Sequence, residues 1–135
     1  MQRYNEAFCL IMIDIDLFKE VNDEHGHICG DKVLVEFATL LKNSIRETDT
    51  LGRWGGEEFM IICPNSTIEG THVLCESIRE KIENFTYAHL KPLTASFGLT
   101  FFKNKDTLES IVNRCDRALY EAKAQGRNKV IAFDS

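Results

Sequence analysis

The sequence predicts an α/β (α+β) domain in which helices cover the faces of a mixed central sheet. Three observations lead to this prediction: an early continuous apolar run, three stretches with apolar residues at helical spacing, and two strand-like runs around a Gly-Gly pair. The 135 residues correspond to about one domain. We therefore expect a single domain over residues 1–135, with the order strand, helix, hairpin, helix, strand, helix, strand.

The first half of the chain contributes a strand, a helix and a hairpin. The apolar run AFCLIMI at residues 7–13 has the length of a strand that is buried on both faces. After a short polar loop, apolar residues recur at helical spacing to about Arg46. The runs TLGRW and EFMIIC then predict a hairpin around Gly55 and Gly56, since a primed turn needs positive φ at its centre.

The second half contributes two helices and two strands. Apolar residues from Leu74 to Phe85 have helical spacing, and the run LTASFGLTFF predicts the next strand. Asp106 and Glu109 resemble a capping box at the start of a third helix, and Gly126 is the expected glycine just beyond its end. The run KVIAFD predicts the last strand.

Composition excludes several classes of protein. A net charge of −5 without a clustered basic tract argues against a nucleic-acid groove. The five cysteines are odd in number and form no C-x-x-C pair, so they predict neither a disulfide framework nor a cysteine zinc site. No stretch approaches the ~20 apolar residues of a membrane span. We expect a cytoplasmic domain that binds no nucleic acid and does not insert directly into a membrane.

The segment after the first strand is rich in polar residues. Asp14 stands at the carboxyl end of a buried strand, where open α/β sheets bind ligands. Asp16 is expected to cap the next helical turn, a common role for aspartate. The further polar groups of this loop, at positions suited to holding a ligand, are Asn22, Asp23, His27 and Asp31.

Two glutamates follow the Gly-Gly pair. If the first hairpin strand pairs beside the first strand of the chain, Glu57 and Glu58 come next to Asp14. Three carboxylates at that distance repel one another unless a cation lies between them, and Mg²⁺ is usually held by carboxylates together with substrate phosphates. The alternative is a solvated turn whose glutamates protect a sheet edge from aggregation.

Two cations lie near the end of the third helix. Lys123 and Arg127 are four residues apart and are expected to face the same way. The helix dipole alone favours cations at this position, so they become functional only beside a phosphate supplied from elsewhere.

Taken together, three segments resemble one family. They are D-I-D-L-F-K-E-V-N-D-x-x-G-H-x-x-G-D from Asp14, R-E-T-D-x-x-x-R-W-G-G-E-E-F from Arg46, and A-L-Y-E-A-K-A-Q-G-R-N from Ala118. This set resembles the GGDEF domain of diguanylate cyclases, here with a GGEEF signature. The resemblance implies a fold like the palm of nucleotide cyclases and polymerases. It also implies condensation of two GTP molecules into cyclic di-GMP with release of two pyrophosphates, across a homodimer.

The resemblance implies a metal centre with two Mg²⁺ or Mn²⁺ ions per active site. Asp14, the backbone carbonyl of Ile15 and Glu58 match metal ligands of the family. Glu57 occupies the variable position of the signature and resembles the residue that bridges the metal and the reacting 3′-hydroxyl, so it is expected to be both ligand and catalytic residue. Two such ions clamp the attacking and leaving oxygens of an in-line displacement.

The resemblance also implies a guanine site. Asn22 and Asp31 match the pair that contacts the guanine edge, and His27 is expected close to the nucleotide. An acidic acceptor at Asp31 suits the N1–H and N2–H donors of guanine, which adenine lacks, and such a group strongly penalises the wrong base.

Phosphate contacts are implied at two places. Backbone N–H groups around Leu17 and Phe18, with Lys19, are expected to hold the β and γ phosphates at a helix start. Lys123 and Arg127 resemble the phosphate-binding pair of the family.

A separate R-x-x-D pattern precedes the signature. Arg46 and Asp49 are similar to the inhibitory site at which the family binds its product, where an arginine can pair with a phosphate or a guanine edge and an aspartate accepts guanine donors. The alternative is a surface arginine and aspartate at a helix end. Arg79 in the next helix does not match the register of the family's further arginine.

The family usually carries a D-x-L-T-x-L-x-N-R pattern upstream, and nothing similar precedes Tyr4. The resemblance therefore implies a domain lacking the usual N-terminal segment and any sensor domain. It is expected in the bacterial cytosol, as the output domain of a larger sensor protein. Two other hypotheses stay open. One is a catalytically weak module that binds GTP or cyclic di-GMP, and the other is a relative that accepts ATP and makes a mixed dinucleotide.

Overall fold

The computed structural model describes residues 8–89 and 91–134. The predicted order of elements and the α/β class are confirmed, with five strands and three helices in the described part of the chain. The elements are β1 (Phe8–Ile15), α1 (Phe18–Ser44), β2 (Thr50–Arg53), β3 (Glu58–Pro64), α2 (Ile68–Asn84), β4 (Ala95–Phe101), α3 (Leu108–Ala124) and β5 (Val130–Phe133).

The central strand of the sheet is β1. The strand order is β2-β3-β1-β4-β5, and all neighbours are antiparallel except β4 and β5. Alternate residues of β1 enter two cores: Ile11 and Ile13 pack with α1 and α2, while Leu10 and Met12 pack with α3. A strand buried on both faces explains the continuous apolar run.

Helix α3 lies very close to the sheet at Gly98. A Cβ atom at this position would overlap the backbone of Leu119 and Cys115, which belongs to a helix and cannot move aside easily. Gly98 therefore sets the distance between α3 and the sheet, and through it the position of the C-terminal end of α3 above β1.

The polar segment after β1, which was predicted to be a loop, is part of helix α1. The helix begins at Phe18 rather than after the polar segment, and it is interrupted at Gly26, where φ is 86° and ψ is 164°. Its N-cap is Leu17, in the left-handed region at φ 58°, with no hydrogen bond from a capping side chain. The prediction that Asp16 caps this helix was wrong, because the Asp16 carboxylate accepts hydrogen bonds from β4 and the loop before it instead.

The hairpin differs from its prediction in two ways. Positive φ occurs at Gly26 and Gly126 among the described glycines, but not at Gly55 or Gly56, so the turn is not of the primed type. A wider loop spans residues 54–57, closed by Trp54 N donating to Glu58 O at 2.8 Å. In addition β3, the second hairpin strand, pairs with β1, and the expected pairing of the first strand was wrong.

The start of α3 lies one residue later than the predicted capping box. Thr107 is the N-cap, and its hydroxyl accepts a hydrogen bond from Ser110 N at 3.1 Å, while the Ser110 hydroxyl accepts from Thr107 N at 2.8 Å. Asp106 pairs with Arg114 instead, so the proposed partnership of Asp106 and Glu109 was wrong.

Two predictions from composition can be compared with the structure. All five cysteines are free thiols, and four of them, Cys9, Cys63, Cys75 and Cys115, are buried as small apolar residues. None of the helices among residues 8–89 and 91–134 is long and apolar enough to cross a membrane.

Candidate active site

Two of the predicted metal ligands lie directly opposite each other on adjacent strands of the sheet. Asp14 and Glu58 are direct partners in the antiparallel pairing of β1 and β3. Ile15 N donates to Glu57 O at 3.3 Å, which makes Ile15 and Glu57 the hydrogen-bonded pair and Asp14 and Glu58 the neighbouring non-hydrogen-bonded pair. Side chains of a non-hydrogen-bonded pair approach each other most closely. The fold therefore brings Asp14 and Glu58 together on the face covered by α3, with Glu57 adjacent.

Asp14 is a buried carboxylate that lacks sufficient partners. Its residue is only 3% exposed, its Oδ2 contacts Lys123 Nζ from α3, and its Oδ1 has no hydrogen-bond partner among the described residues. Burial raises the pKa of Asp14 to about 6, Lys123 opposes the shift, and the negative charges of Glu57 and Glu58 add to it. The carboxylate thus has an excess of negative neighbours and one oxygen left free.

The donor set fits a hard divalent cation. An orphaned carboxylate oxygen beside two glutamates suits the all-oxygen coordination of Mg²⁺ or Mn²⁺. No three His, Cys, Asp or Glu side chains of the described residues already converge as a cluster, and Lys123 holds one Asp14 oxygen. Asp14, Glu57 and Glu58 are therefore the residues that would hold a cation here, with the free Oδ1 of Asp14 as an available ligand atom.

Asp16 organises the end of β1. Its carboxylate accepts hydrogen bonds from the hydroxyls of Thr94 and Ser96, each at 2.7 Å, and from Asn128 N at 3.0 Å. It thereby joins β1 to β4 and to the loop after α3. Sequence reasoning missed Thr94, Ser96 and this role of Asn128, although two hydroxyl residues at the start of an apolar strand were a signal of a buried polar partner.

The predicted phosphate-binding pair lies on two different elements, Lys123 in α3 and Arg127 in the loop after it. The helix ends at Ala124, and its end is closed by Gly126 N donating to Lys123 O and Arg127 N donating to Ala122 O, at 3.3 and 3.0 Å. Gly126 has φ 115°, as predicted for a C′ glycine. Lys123 reaches Asp14, whereas Arg127 is exposed beyond the helix at φ 67°. The helical spacing from which Lys123 and Arg127 were expected to face the same way does not apply, because Arg127 lies beyond the end of α3.

The start of α1 is open to an anion. Because Leu17 provides no side-chain cap, the first N–H groups of the helix, at Phe18 and Lys19, lack a capping acceptor from the N-cap side chain. The Phe18 side chain is buried, which anchors this turn, while the Lys19 side chain is 88% exposed and lies 3.6 Å from Asp23. Helix N-termini of this kind bind phosphate readily.

The break at Gly26 and the small residue Gly30 shape the expected guanine site. The Asn22 amide lies so close to Gly30 that any Cβ at residue 30 would overlap it. Asn22 is thus held next to the backbone immediately before Asp31. His27 and Asp31 are both exposed. The structure therefore brings Asn22 near the Asp31 backbone and leaves Asp31 and His27 accessible.

Arg46 and Asp49 form a closed pair. Asp49 accepts from Arg46 N at 2.9 Å and from Arg46 Nη2 at 2.8 Å, and its side chain is fully buried. Arg46 Nη2 also donates to Pro64 O and Ser66 Oγ. Asp49 therefore positions Arg46, and its oxygens are not presented to a ligand in this conformation. Arg79 is bound to Glu76 at 2.8 Å and to Asn128 at 3.2 Å.

Comparisons with known proteins agree with this architecture. The family model described as "Diguanylate cyclase, GGDEF domain" matches residues 1–129. Diguanylate cyclase A of Treponema denticola is 40% identical over 129 residues, which cover 93% of this chain and 35% of that protein. The chain spans about a third of the length of the curated relatives it matches.

Two solved structures have the same fold. The active GGEEF domain of a diguanylate cyclase from Vibrio cholerae is 34% identical with a TM-score of 0.91, over 98% of this chain and 86% of that chain. The GGDEF domain of DgcB from Caulobacter crescentus, solved in complex with c-di-GMP, is 32% identical with a TM-score of 0.89, over 94% and 78% of the two chains.

Proposed function

Because this chain belongs to the GGDEF domain family, we propose that it makes cyclic di-GMP from two GTP molecules when two domains face each other. The single observation that carries the proposal is the Asp14 carboxylate, buried opposite Glu58 with one oxygen unpartnered. A structural carboxylate in a folded core normally has all its oxygens satisfied, so this exception favours a ligand-binding role.

The carboxylates would hold Mg²⁺ or Mn²⁺, two ions per site. Asp14, the carbonyl of Ile15, Glu57 and Glu58 are the proposed ligands. When bound, the ions supply charge stabilisation for the attacking and leaving oxygens of the displacement. Glu57 lies in the loop rather than in β3, and we assign it to the proton of the attacking 3′-hydroxyl. Lys123, released from Asp14, is available to a phosphate oxygen.

The GTP site lies along α1. The uncapped N–H groups near Leu17 and Phe18, with Lys19, support a role in binding the terminal phosphates. Arg127, held in the loop that Asp16 anchors, is the second proposed phosphate contact. Asn22 and Asp31 are proposed to contact guanine, with His27 nearby, and Asp31 would discriminate against ATP.

One domain supplies half of the complete active site. Each domain carries one set of these residues, and two GTP molecules must each attack the other, so we propose a homodimer as the catalytic form. The rate is therefore expected to rise with the square of protein concentration where most of the protein is monomeric.

The test is incubation of the protein at high concentration with GTP and Mg²⁺, followed by chromatography of the nucleotides. Glu57→Gln keeps the size of the side chain but removes the proton acceptor and a metal ligand, so cyclic di-GMP formation is expected to fall by at least ~100-fold. Glu109→Gln, on the exposed first turn of α3, is the matched control and should retain wild-type activity. Equal product formation by Glu57→Gln and wild type would remove Glu57 from the mechanism.

We further propose that Arg46 is part of a product-binding inhibitory site. A cavity of about 360 Å³ lies beside Arg46 and is also bordered by Ser66, Thr67 and Gly70 at the start of α2. A guanidinium beside a helix N-terminus suits an anionic dinucleotide. Asp49 would act by holding Arg46 rather than by contacting guanine.

Calorimetry with cyclic di-GMP tests this site. Arg46→Lys keeps the charge but loses the bidentate geometry, and is expected to weaken binding by about tenfold. Arg79→Ala is the matched control, because Arg79 is engaged with Glu76 and Asn128 and should not affect binding. Unchanged affinity in Arg46→Lys, with a stronger effect of Arg79→Ala, would contradict the assignment.

A further inference from the structure

A second group of metal-ligating side chains lies away from the carboxylates, where α1 meets the loop before β4. His25 of α1 and His89 of this loop pack edge to face, with ring centroids 5.2 Å apart and planes at 86°. Glu24, the residue before His25, also lies here and pairs with Lys91 of the loop at 2.8 Å. We call Glu24, His25 and His89 the histidine cluster.

Both histidines carry an unsatisfied ring nitrogen. His25 Nε2 and His89 Nδ1 are buried without a hydrogen-bond partner among the described residues. Only Asp14 Oδ1, the proposed metal-binding oxygen, shares this condition among the described side chains. Buried polar atoms of folded proteins are nearly always satisfied, so two orphaned nitrogens on neighbouring rings point to an external partner. A partner able to accept lone pairs from two imidazoles is a metal ion.

Two separations in the histidine cluster are compatible with a tetrahedral ion after a local rearrangement, although no three ligating side chains of the described residues converge there in advance. Glu24 Oε1 lies 3.2 Å from His25 Nε2. Two ligand atoms on a tetrahedral Zn²⁺, each at about 2.0–2.1 Å, are about 3.3 Å apart, and two imidazole rings on it have centroids about 5 Å apart. Both observed separations are close to these values.

We propose that Glu24, His25 Nε2 and His89 Nδ1 bind a divalent transition-metal ion of the zinc class. Imidazole nitrogen favours Zn²⁺, Co²⁺ or Ni²⁺ over Mg²⁺, which separates this site from the carboxylates near Asp14. A cavity of about 200 Å³ borders Glu24, His89 and Lys91 and has room for a water as the fourth ligand.

Binding requires a local rearrangement that has a parallel in the active site. Lys91 Nζ holds Glu24 Oε1, as Lys123 Nζ holds Asp14 Oδ2, and each lysine must move before a cation can take the oxygen that it holds. No three ligating side chains of the described residues converge in advance at either place. In both sites an ammonium group therefore holds a carboxylate oxygen that a metal ion would otherwise bind.

The surroundings of His89 lower its pKa and so favour its neutral form. The groups that face the histidine cluster are Glu24 and Glu36 of α1 and Lys91 of the loop, and Glu20 borders the adjoining cavity. Burial lowers the pKa of His89, His25 and Lys91 add to the shift, and Glu36 and Glu24 oppose it. The neutral form is the one that binds metal, so acidification should release the ion.

An ion here would connect two parts of the nucleotide site. His25 ends the first segment of α1, which carries Lys19 and Asn22, and His89 lies in the loop that leads to Thr94 and its contact with Asp16. Occupancy would fix these segments relative to each other.

The experiment is titration of Co²⁺ and Zn²⁺ into EDTA-treated protein in excess Mg²⁺, followed by calorimetry and by the visible absorption of Co²⁺. Wild type is expected to bind one Co²⁺ with an imidazole-type tetrahedral spectrum. His25→Gln and His89→Gln should each weaken binding by at least about tenfold. His72→Gln, at a half-buried histidine of α2, is the matched control and should bind as wild type does.

Melting temperatures in EDTA verify that the variants are folded. Affinity that is the same in wild type, His25→Gln and His89→Gln would overturn the proposal. Binding that is lost only in Cys29→Ser would assign the ion to a thiol and would overturn it too. Loss of the Co²⁺ spectrum between pH 7.5 and 5.5 in wild type would support imidazole ligation, and a spectrum independent of pH would contradict it.

Discussion

Helix α3 supplies a cation to two buried carboxylates, and the two pairs differ sharply. At its N-terminal end Arg114 contacts Asp106 through two nitrogens, at 2.9 and 2.6 Å, and Asp106 also accepts from Lys103 N and Ser110 Oγ. These donors hold the pKa of Asp106 far below its usual range. At the other end Asp14 has only Lys123 and an unpartnered oxygen, and burial raises its pKa to about 6.

The difference separates a structural carboxylate from one suited to binding a ligand. A buried charge that is saturated with donors stabilises the fold relative to loss of either partner. A buried charge that is short of donors and close to further negative charges is unfavourable until a cation arrives. The side chains of Asp14 and Asp106 are only 4% and 8% exposed, so the number of donors is the clearer difference between them.

The largest expected effect is a loss of folding stability when the ion pair of Arg114 and Asp106 is broken. Arg114→Met leaves the Asp106 carboxylate buried without its cation, which should lower the free energy of unfolding by about 3–5 kcal/mol. Urea denaturation measures this loss. The matched change at the other pair, Lys123→Met, should cost less, because the pKa of Asp14 is already raised to about 6 and its carboxyl can take up a proton once the cation is lost. Equal losses in the two variants would remove the distinction between the pairs.

The next largest effect is a gain in the free energy of unfolding, from a change at Asp14. Asp14→Asn removes a charge that burial disfavours, so in EDTA at pH 7 it should raise the free energy of unfolding by about 1–3 kcal/mol while abolishing cyclic di-GMP formation. Asp106→Asn is the control and should destabilise. Thermal melts with and without Mg²⁺ measure both, and Mg²⁺ should stabilise wild type but not Asp14→Asn. Destabilisation by Asp14→Asn in EDTA would contradict the unsatisfied state of Asp14.

The smallest effect is a difference in pH dependence. Folded Asp14 binds its proton more tightly than the unfolded chain, whose ordinary value is 3.8, so its contribution to stability falls as pH rises from about 4 to about 6. Asp106 has a lowered pKa, so its contribution is present above about 4 and is lost at lower pH. Denaturation of wild type and Asp14→Asn is measured from pH 4 to 7.5 in EDTA. The free energy of unfolding of wild type should fall relative to that of Asp14→Asn as pH rises to about 6, and the difference should then stay constant. Parallel curves would contradict the prediction.

Much of the fold follows from patterns that depend on many residues. The apolar run that became β1 and the stripes that became α2 and α3 predicted the elements because burial of a whole face outweighs any local preference. The motif around Glu57 and Glu58 likewise predicted which carboxylates the sheet brings to Asp14, since the register of β1 and β3 aligns Asp14 with Glu58.

The failures lie where one side chain has several possible partners. Asp16 and Asp106 were both predicted to be helix caps, and both are bound instead by groups distant in the chain or in the next turns, Ser96 for Asp16 and Arg114 for Asp106. A sequence shows that an aspartate favours capping, but it does not show that a buried hydroxyl or guanidinium is available. Arg127 was placed by helical spacing, which ceases to apply once Gly126 ends the helix.

The alternation along β1 also constrains how this chain can change its length. Since odd residues face α1 and α2 while even ones face α3, one inserted or deleted residue between Cys9 and Asp14 would move either the apolar positions or the carboxylate to the opposite face. Tolerance of such changes should therefore be greatest in the loops and nearly absent in β1. Length variation among natural relatives of this strand is expected in steps of two residues or not at all.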